Sequence, residues 1–225
     1  MLIGNDVSLG IKAVIFDVDG TLLKTYEDLA NAVNFALSTK GFPQHNPECF
    51  KLFAGNGTDM MIKRALPEEF RNDKTVDELR PIYFEYYNKH SGEMTKPYDD
   101  ILQLLSNLKK NNLKLGVVSN KIDFMTKIVI KEYFGDMFDY VTGQCEGVPI
   151  KPDPAMLNNA MAHFGVSPDE CIFIGDSGVD ALTGKNAGVF TVGVLWGFRD
   201  ETELKENGAN VVINTPLELL KYINY

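Results

Sequence analysis

Short apolar runs alternate with amphipathic stretches along most of this chain. KAVIF (12–16), LKLGVV (113–118), FDYVT (138–142), CIFI (171–174), FTVGV (190–194) and NVVI (210–213) are rich in β-branched and aromatic residues and give way to turn residues. That is the pattern of strands buried on both faces. Between them DDILQLLSNLKKN, DFMTKIVIKEYF, PAMLNNAMAHFG and PLELLKYI carry apolar residues at helical spacing, and Gly165 falls where a helix C-terminus favours glycine. The alternation predicts an α/β fold with a doubly wound parallel sheet. Residues 26–92 break it: DLANAVNFALSTKG, TDMMIKRAL and VDELRPIYFEYYNK read as helices, and no strand stands out. The expected organisation is a core of residues 1–22 and 93–225, with a small all-helical domain, residues 23–92, inserted after the first core strand.

Composition narrows the partners more than the fold. Hydrophobic residues make up 44% and charged residues 24% of the 225 positions, which suits an ordered globular chain. A net charge of -9 argues against nucleic acid or an anionic membrane as partner, because both need clustered Lys and Arg. An anionic ligand must therefore be met by local groups. Cys49, Cys145 and Cys171 are odd in number and far apart, with no CxxC, so neither a disulfide framework nor a zinc site is expected. MLIGNDVSLG has neither a basic start nor a long apolar run, so a cytoplasmic location is expected. Monomer and homodimer are both open.

Chemistry concentrates where strands end. In VIFDVDGT, Asp17 directly follows an apolar run and Asp19 stands two residues on, before Gly20 and Thr21. Ligands of doubly wound sheets bind beyond the carboxyl ends of the strands. Two carboxylates this close call for a cation or a raised pKa, and a glycine lets the following amides face an anion. The same pentapeptide could equally be a polar turn capped by Asp side chains. LGVVSNK repeats the arrangement, with Ser119 and Asn120 as donors past the next core strand or as a helix N-cap. In IKPDP, Lys151 precedes a Pro-stiffened loop, with Asp153 at an N-cap and Pro154 at the first helical position; alone, such a lysine is a surface charge. CIFIGDSGVDA sets Asp176 past another strand and Asp180 four residues later, with Gly175 and Gly178 keeping the backbone close. Asp17, Asp19, Asp176 and Asp180 together form a set of hard oxygen ligands for which Mg2+ is the simplest occupant.

FDVDGTL, VVSN, IKPDP and GDSGVDA, in that order, resemble the four signature motifs of the haloacid dehalogenase superfamily of aspartate-nucleophile phosphatases, from about residue 12 onward. The resemblance implies a Rossmann-like core, a helical cap and a Mg2+-dependent hydrolase acting on a small phosphorylated metabolite. It assigns Asp17 as nucleophile and Asp19 as acid and base, with Ser119 and Lys151 completing the catalytic set. It further implies that Gly20, Thr21 and Asn120 bind substrate, that Asp17 and Asp176 ligate the metal through their side chains and Asp19 through its backbone carbonyl, and that Asp180 orients. FAGNGTDMMIKRAL, the Pro97–Tyr98 pair, VVSNK and NAG (186–188) are most similar to the phosphoglycolate phosphatase subfamily. Asp99 and Asp100, and a longer N-terminus, depart from that subfamily. A mutase of the beta-phosphoglucomutase kind and an inorganic pyrophosphatase share the motifs and remain alternatives. A receiver-type phospho-acceptor domain is half this length, lacks the insert, and is disfavoured.

Within the helical segment, Gly55, Asn56 and Gly57 form a loop before a helix whose N-terminus can face an anion, or a simple helix-initiating turn. Arg64 can meet a substrate carboxylate or form a structural salt bridge. His45, His90 and His163 read as structural, Tyr83, Phe84, Tyr86 and Tyr87 as helical core, and Trp196 as either a cleft wall or a loop anchor.

Overall fold

The computed structural model describes residues 10–223. Eight strands form: β1 (Ala13–Phe16), β2 (Leu23–Lys24), β3 (Lys96–Pro97), β4 (Lys114–Ile122), β5 (Tyr140–Gln144), β6 (Cys171–Gly175), β7 (Phe190–Val194) and β8 (Val211–Ile213). Six make one sheet in the order β5-β4-β1-β6-β7-β8, parallel throughout. The winding reverses between β1 and β6, so a crevice opens beyond their carboxyl ends.

Alternate residues face opposite sides of the sheet. Val14 and Phe16 join Ile172, Ile174, Leu115 and Val117 on one face, while Ala13 and Ile15 join Cys171, Phe173 and Val118 on the other. On the first face pack α5 (Ile101–Lys110) and α6 (Asp123–Phe134); on the second packs α7 (Ala155–Phe164). Gly165 closes α7 in the left-handed conformation expected of it. The further helices of this part are α8 (Gly178–Ala187) and α9 (Glu201–Glu206). PLELLKYI departs from expectation: residues Pro216–Tyr222 wind as a 3-10 helix.

Residues between β2 and β3 fold as α1 (Tyr26–Thr39), α2 (Phe50–Phe53), α3 (Thr58–Ala65) and α4 (Asp73–His90) around their own apolar cluster, with Leu29, Val33, Leu37, Phe50, Ile62, Leu79 and Tyr83 inside. Two features at the base of this segment escaped the sequence pattern. Leu23 pairs with Pro97 and Lys24 with Lys96 in an antiparallel ribbon, so the chain leaves and re-joins the core at one place. The buried Asp28 carboxylate accepts from the amides of Gly92, Met94 and Thr95 and from the Thr95 hydroxyl, at 2.7 to 3.1 Å. Among the described residues no helix is long and apolar enough to cross a membrane.

Candidate active site

The Asp17–Asp19 turn is set by the backbone. After β1 the chain folds back on itself, the carbonyl of Val18 accepting from the amides of Thr21, Leu22 and Leu23, and the carbonyl of Leu23 from Gly20. Gly20 has φ of +89° and a Cβ there would overlap the Asp176 carboxylate. Glycine is required twice over, by conformation and by the approach of β6's terminal aspartate. The Thr21 hydroxyl lies 3.4 Å from Asp176, and Trp196 donates its indole N–H to the Thr21 carbonyl at 2.9 Å. Trp196 is thus an anchor of this turn.

Asp17 and Asp176 each follow a strand end at the reversal of the sheet. Asp180 reaches them from the first turn of α8, where Ser177 caps the helix and donates its hydroxyl to Asp180 Oδ2 at 2.5 Å. Lys151, from the loop before α7, stands 2.7 Å from Asp17 Oδ1 and 2.6 Å from Asp180 Oδ1. All four side chains are buried. Asp17, Asp176 and Asp180 each offer an oxygen within 4.8 Å of the others.

Burial raises the Asp17 carboxyl to about 6, with Lys151 pulling it down and Asp180 and Asp19 pushing it up. Burial, reinforced by Asp180 and Asp17, pushes Asp176 well above the usual carboxylate range. Burial opposes the charge on Lys151, yet Asp17 and Asp180 hold its ammonium above the ordinary lysine value. One ammonium cannot balance three buried carboxylates. A hard, small divalent cation fits the all-oxygen donor set and the missing charge.

Two expectations shift by a residue or more. Helix α7 begins at Ala155 with Pro154 in the cap position, and Asp153 accepts from the Ala155 amide at 2.9 Å. Ser119 and Asn120 do not follow a strand but lie inside β4, where its register with β5 slips between Val118 and Ile122. The Asn120 side chain is engaged within the protein, its Nδ2 donating to the carbonyls of Gly55 and Lys151, both at 3.0 Å, and its Oδ1 accepting from the Lys151 amide at 2.8 Å, while the residue lines the pocket. It ties the lysine loop to the helical segment. Ser119 remains at the pocket wall.

Across the crevice, Gly55 and Gly57 both have positive φ, and Gly57 caps α3. Asn56 accepts from Arg64 Nη2 at 2.7 Å, and Arg64 Nη1 donates to the Phe53 carbonyl at 2.8 Å. Arg64 is therefore structural. Arg199 also grips this stretch, donating to the carbonyls of Lys51, Leu52 and Ala54. Its neighbour Phe198 donates its amide to Asp176 at 2.7 Å. Asp17, Asp19, Ser119 and Lys121 of the core and Gly55, Gly57, Thr58, Met61 and Tyr83 of the helical segment line one pocket. His45 bonds the Ala65 carbonyl, His90 stacks on Tyr86, and His163 leans on Tyr140; none reaches this pocket.

Lys121 and Arg199 were not legible as site residues. Lys121 ended a recognisable VVSNK run, but nothing in the sequence said that its side chain would be buried. Arg199 lies in a loop whose partner is 148 residues away.

Known proteins resemble this chain in sequence and in fold. The sequence model of the haloacid dehalogenase-like hydrolases matches residues 14–194. A phosphoglycolate phosphatase of Psychrobacter arcticus is 34% identical over 202 residues, covering 86% of this chain and 87% of its own. One of Aquifex aeolicus is 28% identical, covering 95% and 97%. A crystal structure from Lactobacillus delbrueckii subsp. bulgaricus, of a candidate phosphoglycolate phosphatase, superposes with a TM-score of 0.89 at 32% identity, over 94% of this chain and 98% of that one. The chain belongs to the haloacid dehalogenase-like hydrolase family.

Proposed function

We propose that the protein hydrolyses a small phosphate monoester, phosphoglycolate first among candidates, through an aspartyl phosphate on Asp17 in a Mg2+-dependent reaction. The observation that carries this is the buried Asp17 carboxylate, braced by Lys151 and opening with Asp19 into the pocket between the sheet and the helical segment. Relatives of similar length named phosphoglycolate phosphatase support the choice of substrate.

The chain's own groups account for the chemistry. A carboxylate approaching a phosphate dianion needs its charge offset, and the Lys151 ammonium does this beside Asp17. Asp17 attacks phosphorus and the bond to the leaving oxygen breaks, its electron pair taking the proton that Asp19 delivers. Water then attacks the aspartyl phosphate, giving its proton to Asp19 and releasing phosphate. The amides of Asp19 and Gly20, with Ser119, hold the phosphoryl oxygens; Thr21 steadies Asp176 rather than touching substrate. Asp17, Asp176 and the Asp19 carbonyl would hold Mg2+, with Asp180 orienting, and the ion would supply positive charge that the carboxylate cluster lacks. Residues 23–92 act as a lid on the core of residues 1–22 and 93–225, excluding water and choosing the ester. Gly55 and Gly57 shape the lid's wall of the pocket, and Asn56 fixes Arg64 behind it. The three free cysteines fit a cytoplasmic setting.

The test is a set of steady-state rates on phosphoglycolate, ethyl phosphate, hexose phosphates and pyrophosphate, with Mg2+ and with chelator, for the native chain and Asp17→Asn. Phosphoglycolate should lead, chelator should stop turnover, and Asp17→Asn should lose about 10^4-fold. A hexose phosphate or pyrophosphate ahead by about tenfold, roughly 1.4 kcal/mol of transition-state binding, would discard the substrate while leaving the hydrolase. Full activity in Asp17→Asn would discard the mechanism.

A further inference from the structure

Lys121 is a buried cation whose charge the site does not use up. Its side chain is 4% exposed, and it faces the same pocket as Asp17, Asp19 and Ser119. Its partner is Asp19, yet the Nζ to carboxylate distances are 3.4 and 3.5 Å. A charge-assisted bond closes to about 2.7–2.9 Å, so this contact leaves the ammonium's donors available. The Tyr87 ring lies beneath it, 4.6 Å from Nζ to centroid. The two arginines that might have served an anion on the lid side, Arg64 and Arg199, are both spent on backbone carbonyls.

We infer that Lys121 is the specificity residue of the site, binding a carboxylate one carbon beyond the leaving oxygen of the substrate. The inference rests on the proposed function and deepens it. Asp19 must reach the leaving oxygen to protonate it. A group joined to that oxygen through a single carbon then lies beside Asp19 on the side where Lys121 stands. An ammonium buried between aromatic and apolar walls favours an anion there over a neutral group. Lys121 belongs to the core, so selection for the acid does not depend on a charged lid residue. Thr58, Met61 and Tyr83 of the lid close the space around it.

The experiment compares phosphoglycolate with ethyl phosphate, which has the same leaving oxygen and carbon but a methyl for the carboxylate. kcat/KM is measured for both with the native enzyme, Lys121→Met and Lys121→Arg. Lys121→Met disturbs Asp19 equally for both esters, so the ratio isolates contact with the substrate. The expected result is a fall in the phosphoglycolate to ethyl phosphate ratio of about 30-fold in Lys121→Met, about 2 kcal/mol, with much of it regained in Lys121→Arg. Calorimetry on Asp17→Asn should show the same loss for phosphoglycolate binding when Lys121→Met is added. If Lys121→Met does not fold, Lys121→Gln takes its place with the same ratio as readout. An unchanged ratio with both rates reduced would overturn the inference, making Lys121 a positioning residue for Asp19. A native enzyme without preference for phosphoglycolate would instead overturn the proposed substrate itself.

Discussion

The Lys151 ammonium bridges two carboxylates, 2.7 Å from Asp17 at the end of β1 and 2.6 Å from Asp180 in the first turn of α8. Removing it leaves three buried acids without a cation. Lys151→Ala should therefore lower kcat by about 10^2-fold or more and destabilise the metal-free protein by about 3 kcal/mol. Turnover rates and urea titrations of the metal-free chain test both; a variant as stable as the parent would mean that the bridge contributes little.

Asp19 should matter in proportion to the leaving group. An alkoxide needs a proton as it departs and nitrophenolate scarcely does. Asp19→Ala should lose about 10^3-fold on alkyl phosphates and about tenfold less than that on nitrophenyl phosphate. Equal losses on the two esters would assign Asp19 another task.

Asp17 gives the metal-free protein a defined pH dependence. Its folded value of about 6 exceeds the ordinary 3.8, so the folded chain binds this proton more tightly than the unfolded chain. The contribution favours folding below about pH 4 and is lost as pH rises through about 6. Bound as proposed, Mg2+ would compete with that proton and relieve the penalty above it. The melting temperature should therefore rise more on adding Mg2+ at about pH 7.5 than at about pH 5, by roughly 5 °C. Calorimetric scans at both pH values, with and without Mg2+, are the check, and an increment that ignores pH would contradict it.

Asp28 carries the base of the helical segment. Its carboxylate holds three amides and a hydroxyl of residues 92–95, and Asp28→Ala would strand those donors, the two of buried Thr95 above all. A loss of about 3 kcal/mol in stability is expected, with kcat/KM at low temperature changed by no more than about threefold. Denaturant titration beside initial rates separates the two effects.

The six core strands were legible because buried strands of a parallel sheet are written as continuous runs of Val, Ile and Phe. Asp17 and Asp176 were legible because each follows such a run, and Lys151 because it opens a Pro-marked loop. Helix α8 was not recognised: GVDALTGKNA has no apolar stripe, and its inward positions are Gly178, Ala181, Thr183 and Gly184. Small residues are needed there, since a Cβ at Gly184 would overlap Thr191. The β2–β3 ribbon is two residues long in each strand and contains a proline, too short for any alternation to show. Asn120, Lys121 and Arg199 share another reason. What a polar side chain does depends on partners dozens of residues distant, and no local pattern records them.

The ribbon of Leu23–Lys24 with Lys96–Pro97 has one more consequence. Because the helical segment departs and returns at a single point, the sheet sees it as one closed loop. Loop-closure entropy grows only with the logarithm of length, about 0.6 kcal/mol for each doubling, so the sheet is nearly indifferent to what that loop contains. Asp17, Asp176, Asp180 and Lys151 all lie outside it. The segment is in effect an exchangeable cassette: another could be spliced between the same two strands, redrawing the walls of the pocket while the buried carboxylates stay where the sheet puts them.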